Sequence, residues 1–374
     1  MDEIVKFSGR LALQQRVLPR YRTAFVECLA EACGDGLYIF AGQPLAVEGI
    51  EPAGSLHVAH LTQALNLCFR DPSSKLFLCW QKGFTRWLEE IQPEALIVEA
   101  NPRNLATRLA VRWMHRHGKP AVGWGLGAPP LVGGLAFLRR WERLSLLRSL
   151  DAVVAYSRRG AEQYRALGLP AERVFVASNA VAPRPAQPPV EKKNTAGSPL
   201  TVLFVGRLQE RKRLDHLLLA CAALSPEMQP RLLLAGDGPE REKLQTLARE
   251  IYPAAVFLGA KHGADLEPFF AAADLFVLPG TGGLAVQQAM AHALPVVVAR
   301  GDGTQDDLVR PENGWQIAPD DLKALKDALK LALSDPASLH RMGQEAYRVV
   351  AEEVNIEAMV RAFLDALRVV NGAN

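Results

Sequence analysis

Short apolar runs that do not alternate with polar residues recur along this chain, and longer stretches of helical periodicity separate them. The runs are Leu11–Gln15, Leu37–Ala41, Leu76–Trp80, Ala95–Glu99, Ala121–Trp124, Ala152–Tyr156 and Val174–Ala177. After a break come Val202–Gly206, Leu232–Gly236, Ala255–Gly259, Leu275–Leu278 and Pro295–Ala299. A strand with one wet face alternates, whereas a strand buried on both faces does not. The pattern therefore predicts parallel sheets covered by helices on both sides.

A chain of 374 residues with 49% apolar composition is too long for one compact core. The break between the two groups of runs, APRPAQPPVEKKNTAGSP (residues 182–199), has five prolines and little apolar content, which reads as a semi-extended linker. The expectation is an α/β chain of two doubly wound, Rossmann-like domains facing across a cleft, residues 1–185 and 186–354. The amphipathic stretch NIEAMVRAFLDALRVV aligns Met359, Phe363 and Leu367. It predicts a closing helix, within residues 355–374, that packs back on the first domain. Ligands of such folds bind beyond the carboxyl ends of the strands.

The five cysteines (Cys28, Cys33, Cys68, Cys79 and Cys221) are odd in number and lack CxxC spacing. They read as buried thiols of a reducing compartment rather than as disulfides or a zinc site. The opening MDEIVKFSGR has no signal-peptide character, and no apolar run approaches the roughly 20 residues of a membrane span. A cytoplasmic location is expected. Residues 1–185 hold 23 Lys+Arg against 16 Asp+Glu, a net +7, and the remainder is net −4. That asymmetry suits an anionic partner or membrane surface for the first half but is too mild for nucleic acid.

Two turns carry anion-binding chemistry. In LPGTGGLAVQQAMAHALPVVVA (278–299) an apolar run ends in a glycine-rich loop that opens a helix, so backbone N–H groups and a helix dipole point at one place. In TVLFVGRLQERKRLDHLLLA (201–220) the turn carries Arg207, Arg211, Lys212 and Arg213 at a helix start, where cations oppose the dipole unless an anion sits above them. A forked donor and a point charge together suit a diphosphate. LLLAGDGPEREKL offers GxG but has Arg241 where a dinucleotide fingerprint needs glycine, and no P-loop, HExxH, GxSxG or metal-ligand spacing is present.

Together FVGRLQERKRLDHLL, LLLAGDGPEREKL, VFLG, ADLFVLPGTGGLAVQQAMAHALPVV and ENGWQIAPDDLKAL resemble, in order and spacing, the donor domain of family 4 (GT4) glycosyltransferases of the GT-B fold, in the branch with a PGxxGL loop. LQQRVLPRYRTAFVECLAE and AYSRRGAEQYRALGLPAERVFVASNAV resemble the family's first half more loosely. The resemblance implies a retaining, metal-independent enzyme that moves a sugar from a nucleotide diphosphate sugar to an acceptor held by the first domain. The acceptor is expected to be a polysaccharide, a lipid-linked glycan or a small molecule, and no cofactor is expected. It implies that Arg207 and Lys212 bind the diphosphate, with the amides of Gly283 and Leu284; the loop geometry adds the Gly282 amide. It puts Lys261 in the region that meets the base.

The chain departs from the family's pattern at two places. The family often carries a Glu-x7-Glu pair, and here those positions are Gly280 and Gln288. The expectation is that Gln288 meets the ribose as a neutral acceptor. Where the family often has a first-domain histidine, GWGLG has Leu126. No catalytic acid or base is identified, so two alternatives stay open: a weakened sugar-nucleotide-binding protein and a nucleotide-sugar epimerase. Acceptor-side candidates are Arg16, Glu99, Asn101, Arg103 and Trp124. LAFLRRWERLSLLRSL (135–150), with four arginines and Trp141 among leucines, reads either as a helix lying on an anionic membrane or as one packing its leucines on the sheet.

Overall fold

The computed structural model describes residues 6–74, 76–187, 198–301 and 303–372. The linker stretch 188–197 and Asp302 lie outside the described residues. The chain divides into two compact units, one running to Pro183 and resuming at Ile356, the other spanning Arg184–Asn355.

The first unit has an eight-stranded sheet: β1 Leu11–Val17, β2 Leu37–Gly42, β3 His60–Phe69, β4 Leu78–Lys82, β5 Ala95–Glu99, β6 Ala121–Gly125, β7 Ala152–Ala155 and β8 Val174–Val176. Its order is β4-β3-β2-β1-β5-β6-β7-β8. Every neighbouring pair is parallel except β3 and β4, which form an antiparallel ribbon at the edge. That ribbon departs from the parallel expectation. β3 went unseen because one of its faces is exposed along Leu65, Leu67 and Phe69, so no buried run marks it. The helices are α1 Thr23–Glu31, α2 Phe84–Ile91, α3 Thr107–Arg116, α4 Ala136–Arg148 and α5 Arg158–Ala166.

The second unit has six parallel strands, β9 Thr201–Val205, β10 Arg231–Ala235, β11 Val256–Gly259, β12 Leu275–Leu278, β13 Val296–Ala299 and β14 Gly314–Ile317. Their order is β11-β10-β9-β12-β13-β14. β14 is the other strand without a sequence run: it covers the edge of β13 as Gly-Trp-Gln-Ile, half polar and only half buried. Helices α6 Leu214–Ala222, α7 Arg241–Ile251, α8 Glu267–Ala272, α9 Ala285–Ala291, α10 Thr304–Leu308, α11 Leu322–Ser334 and α12 Pro336–Arg348 complete it. α13 Ile356–Asn371 then joins the first unit.

Both sheets reverse strand order once, between β1 and β5 and between β9 and β12. Loops leaving the carboxyl ends of such a strand pair diverge to opposite faces and leave a crevice. Both candidate sites sit there.

α13 is held by its apolar stripe. Met359, Phe363 and Leu367 are buried, and the Phe363 ring lies 5.3 Å from Phe25 and 5.1 Å from Trp124, which themselves are 5.3 Å apart. The Ile356 amide donates to the Ala182 carbonyl at 3.1 Å, fixing where the chain returns. All five thiols are free; Cys28 and Cys68 are only half-buried, and Cys68 Sγ lies 3.4 Å from Cys79 Sγ across the β3–β4 ribbon.

Replacing Phe363 by Ala removes a fully buried ring and leaves a cavity, so it destabilises the first unit by about 3–5 kcal/mol. Urea unfolding followed by tryptophan fluorescence measures this, because Trp315 alone of the tryptophans lies in the second unit. An unchanged midpoint would mean that α13 does not stabilise that unit.

Candidate donor and acceptor sites

In the second unit the loops after β9 and β12 are laced together. The Thr281 amide donates to the Arg211 carbonyl at 3.1 Å, and Lys212 Nζ donates to the Thr281 carbonyl at 3.0 Å. Gly280 makes this possible. A Cβ there would collide with the Arg211 carbonyl and with the backbone of Lys212, so neither a glutamate nor any other side chain fits. Gly282 has φ +65°, a left-handed conformation that glycine adopts without strain. The β10 loop is tied in by similar approaches: a Cβ on Gly236 would strike the Gly206 carbonyl, and the Leu208 amide donates to the Asp237 carbonyl at 2.9 Å.

Lys212 is the chemical centre of this arrangement. The residue is 5% exposed. Burial, and then the charge of Arg211, lower its pKa to about 8. A Cβ on Gly283 would stand 3.6 Å from its Nζ. The other cations of the turn are not all aimed the same way, which corrects the sequence picture of a converging set. Arg213 turns away to Asp320 at 2.7 Å and His216 at 2.7 Å, whereas Arg211 keeps its Nη1 at 3.5 Å from the Thr281 carbonyl while its Nε donates to Gln209 at 3.0 Å. Arg207, Leu284 and Gln288 are exposed, and Lys261 and Gly283 are half-buried. α9 is only seven residues long, so its dipole contributes less than a full helix would. The two glutamines separate: Gln288 faces solvent, whereas Gln287 is buried and donates to the Val354 carbonyl at 2.6 Å.

In the first unit all five acceptor-side candidates line one cavity of about 780 Å3. The Arg16 amide donates to Glu99 Oε1 at 2.8 Å, joining the ends of β1 and β5 at the switch point. Gln14 accepts from the Glu99 amide at 3.0 Å and hydrogen-bonds Gln81, a buried relay with no apolar signature in the sequence. Burial raises the pKa of Glu99, opposed by hydrogen bonds from the Arg16 amide and Asn104 and by the charges of Arg16 and Arg22. Several candidates are thereby committed to structure. The Arg16 guanidinium is paired with Glu48, and Asn101 Oδ1 accepts from the Arg103 amide at 3.1 Å. Trp124 is buried in the aromatic cluster.

Sequence reasoning missed Arg22. It is 4% exposed and stacks on Trp124, with 4.1 Å from its Cζ to the ring, and on Tyr156 at 5.1 Å. Only its place in the RYR triplet after β1 hinted at it. Leu126, where a histidine is common in the family, lines the same cavity and brings no ionisable group. In α4, Leu146 and Leu147 pack inward, as the packing reading expects, whereas Phe137, Leu138 and Trp141 are exposed. Among the described residues no group of three His, Cys, Asp or Glu is placed to hold a metal, and no helix is long and apolar enough to cross a membrane.

Residues 188–349 match the family model described as Glycosyl transferases group 1. That match lies within the second unit, and the two Rossmann-like domains have the GT-B fold. The chain is 28% identical to the lipopolysaccharide core biosynthesis glycosyltransferase LpsE of Rhizobium meliloti over 75% of its own length and 87% of that protein's. It is 31% identical to a GDP-mannose-dependent alpha-mannosyltransferase of Corynebacterium glutamicum, over 50% of its own length and 43% of that protein's. Its fold matches sucrose-phosphate synthase from Thermosynechococcus elongatus with a TM-score of 0.71 at 20% identity, covering 98% of this chain and all of the other.

Burying the Lys212 charge costs stability at neutral pH. Its pKa falls from 10.5 to about 8, so stability of the ligand-free protein rises with pH across that window as the unfolded state holds the extra proton. The shift corresponds to about 3 kcal/mol. Lys212→Met is therefore expected to raise the melting temperature at pH 7 in calorimetry. A clear loss of stability would mean that the ammonium supports the loop rather than straining it.

Proposed function

We propose that the chain is a retaining, metal-independent glycosyltransferase. It moves a sugar from a nucleotide diphosphate sugar to a glycan or lipid-linked acceptor in cell-envelope polysaccharide assembly. The observation that carries the reading is the buried ammonium of Lys212 beneath the Gly280–Gly283 loop. A protein gains nothing in stability from a desolvated cation without a carboxylate; an anionic ligand supplies the missing partner. The donor diphosphate fits that place, with Arg207 and the amides of Gly282, Gly283 and Leu284 completing its contacts. Lys261 reaches the base and Gln288 the ribose. Support for the envelope role comes from LpsE.

In the reaction the bond between the sugar's anomeric carbon and the diphosphate oxygen breaks, and a bond from that carbon to the acceptor oxygen forms. The acceptor hydroxyl gives up its proton. With leucine at position 126, a departing diphosphate oxygen is the base at hand. Lys212 holds the charge that builds on the leaving group, work that a divalent cation does in other enzymes. Metal independence and retention follow this reading.

Lys212→Met should weaken binding of UDP or GDP, whichever the parent prefers, by at least about tenfold, since charge-assisted hydrogen bonds contribute about 1.5–3 kcal/mol. Isothermal calorimetry reads the change, and unaltered affinity would remove the diphosphate from this loop. Transfer assayed in EDTA should proceed at the rate seen with Mg²⁺ or Mn²⁺. A rate abolished by chelation and restored by metal would overturn metal independence. Gln288→Leu should weaken nucleotide binding while leaving the melting temperature in place; equal affinity would take Gln288 out of the site.

A further inference from the structure

The first unit's cavity has two features that a sugar hydroxyl acceptor alone does not need. The first is its charge. Arg103, from the loop after β5, and Arg139 and Arg143, from the inner side of α4, share its wall. Burial, and then the charge of Arg139, holds Arg103 below the ordinary arginine range; burial with both neighbouring arginines contributes to the same effect at Arg143. Among the described residues none of the three forms an ion pair, and Arg143 Nη1 instead donates to the Pro129 carbonyl at 2.8 Å. Glu142 lines the same wall and is paired with none of them. Three guanidinium groups brought together in a half-buried cavity repel one another, and a multivalent oxyanion with several acceptor oxygens answers their forked donors.

The second feature is the lip. Phe69, Leu76 and Leu78 stand on one side of the mouth and Leu135 and Leu138 on the other, each substantially exposed; Phe69 is 59% exposed. The apolar surface does not stop at the mouth. In the β3–β4 ribbon Phe69 pairs with Leu78 and Leu67 with Trp80, so Leu65, Leu67 and Trp80 extend the same exposed apolar face outward. A contiguous patch of this kind marks a binding surface.

Each feature alone has a simpler occupant. A free sugar phosphate would neutralise the arginines and leave the ribbon face bare. A second copy of the chain would cover the ribbon and leave the arginines unpaired. One molecule with a phosphate head and an apolar chain satisfies both. We propose that this cavity binds a phosphate or diphosphate ester of a long apolar chain, the phosphate on Arg103, Arg139 and Arg143 and the chain leaving between Leu138 and the Phe69–Leu78 pair. That this amphiphile carries the hydroxyl receiving the sugar rests on the glycosyl-transfer reading; its binding does not.

The test uses the full chain and isothermal calorimetry with farnesyl phosphate, kept below its aggregation threshold, against farnesol and inorganic phosphate. Farnesyl phosphate should bind at least about tenfold tighter than either of the others. In the Arg103→Gln/Arg139→Gln double variant that advantage over farnesol should vanish, while UDP or GDP binds as it does to the parent. Leu78→Ser/Leu138→Ser should weaken farnesyl phosphate and spare nucleotide binding. Farnesol binding as tightly as its phosphate, or a double arginine variant that binds like the parent, would overturn the phosphate site. Inorganic phosphate binding as tightly as farnesyl phosphate would overturn the apolar chain. A parent chain that binds no nucleotide while binding farnesyl phosphate would sink the donor reading and leave this one standing.

Discussion

The lacing of two loops, with the Thr281 amide on the Arg211 carbonyl and the Lys212 ammonium on the Thr281 carbonyl, sets the geometry on which the donor-side reading depends. It joins the loop after β9 to the loop after β12 at the one place where the second sheet reverses its strand order. Because strands diverge in connection there, the loops have no sheet hydrogen bonds to hold them and must be fixed by contacts of their own. Gly280 lets the Arg211–Lys212 backbone lie against the β12 loop, and Gly282 turns the chain with φ +65° so that its amides remain available. The cost is a cation buried without a carboxylate. That cost is what the proposed diphosphate would offset.

The first unit solves the same problem at its own switch point with neutral groups. The Arg16 amide donates to the Glu99 carboxylate, and Gln14, bonded to Gln81, accepts from the Glu99 backbone amide. The cations that remain are arranged differently: Arg22 is stacked on Trp124, while Arg103, Arg139 and Arg143 gather on the far wall of the cavity. Arg16, the cation most visible in the sequence near the end of β1, is neutralised by Glu48. α13 closes this unit from beyond the second one, its Phe363 buried against Phe25 and Trp124. The unit's stability therefore rests in part on a helix distant in sequence.

Much of the fold was legible because most strands here are buried on both faces, and burial on both faces writes an unbroken apolar run. The strands that carry no such run are only partly buried: β3, exposed along Leu65, Leu67 and Phe69, and β14, half-buried at the edge of its sheet. The antiparallel turn of β3 against β4 was illegible for the same reason. At the glycine-rich loop after β12 and the basic turn after β9 the residue types carried the message, since glycines and cations at strand ends have few structural excuses. Their directions did not: nothing in ERKR tells that Lys212 goes inward while Arg213 goes to Asp320. In the acceptor cavity the sequence pointed to Arg16 and Trp124, both spent on structure, because a lone side chain's partner comes from a segment remote in the chain. Arg22, Arg139 and Arg143 acquire meaning only when the fold sets them beside one cavity or its aromatic wall.

The central claim is that a diphosphate completes the charge of Lys212, and proton uptake on binding tests it most directly. In the free protein burial lowers the pKa of that lysine to about 8, so it is only partly protonated in mildly alkaline solution; a bound diphosphate draws its pKa back toward the ordinary value. Calorimetric titration of UDP or GDP above neutral pH in two buffers of different ionisation enthalpy should therefore show net proton uptake per nucleotide, smaller at lower pH. It should be lost in Lys212→Arg, whose charge does not titrate in this range. Nucleotide binding at pH 8 with no proton taken up, or with equal uptake in Lys212→Arg, would contradict the account.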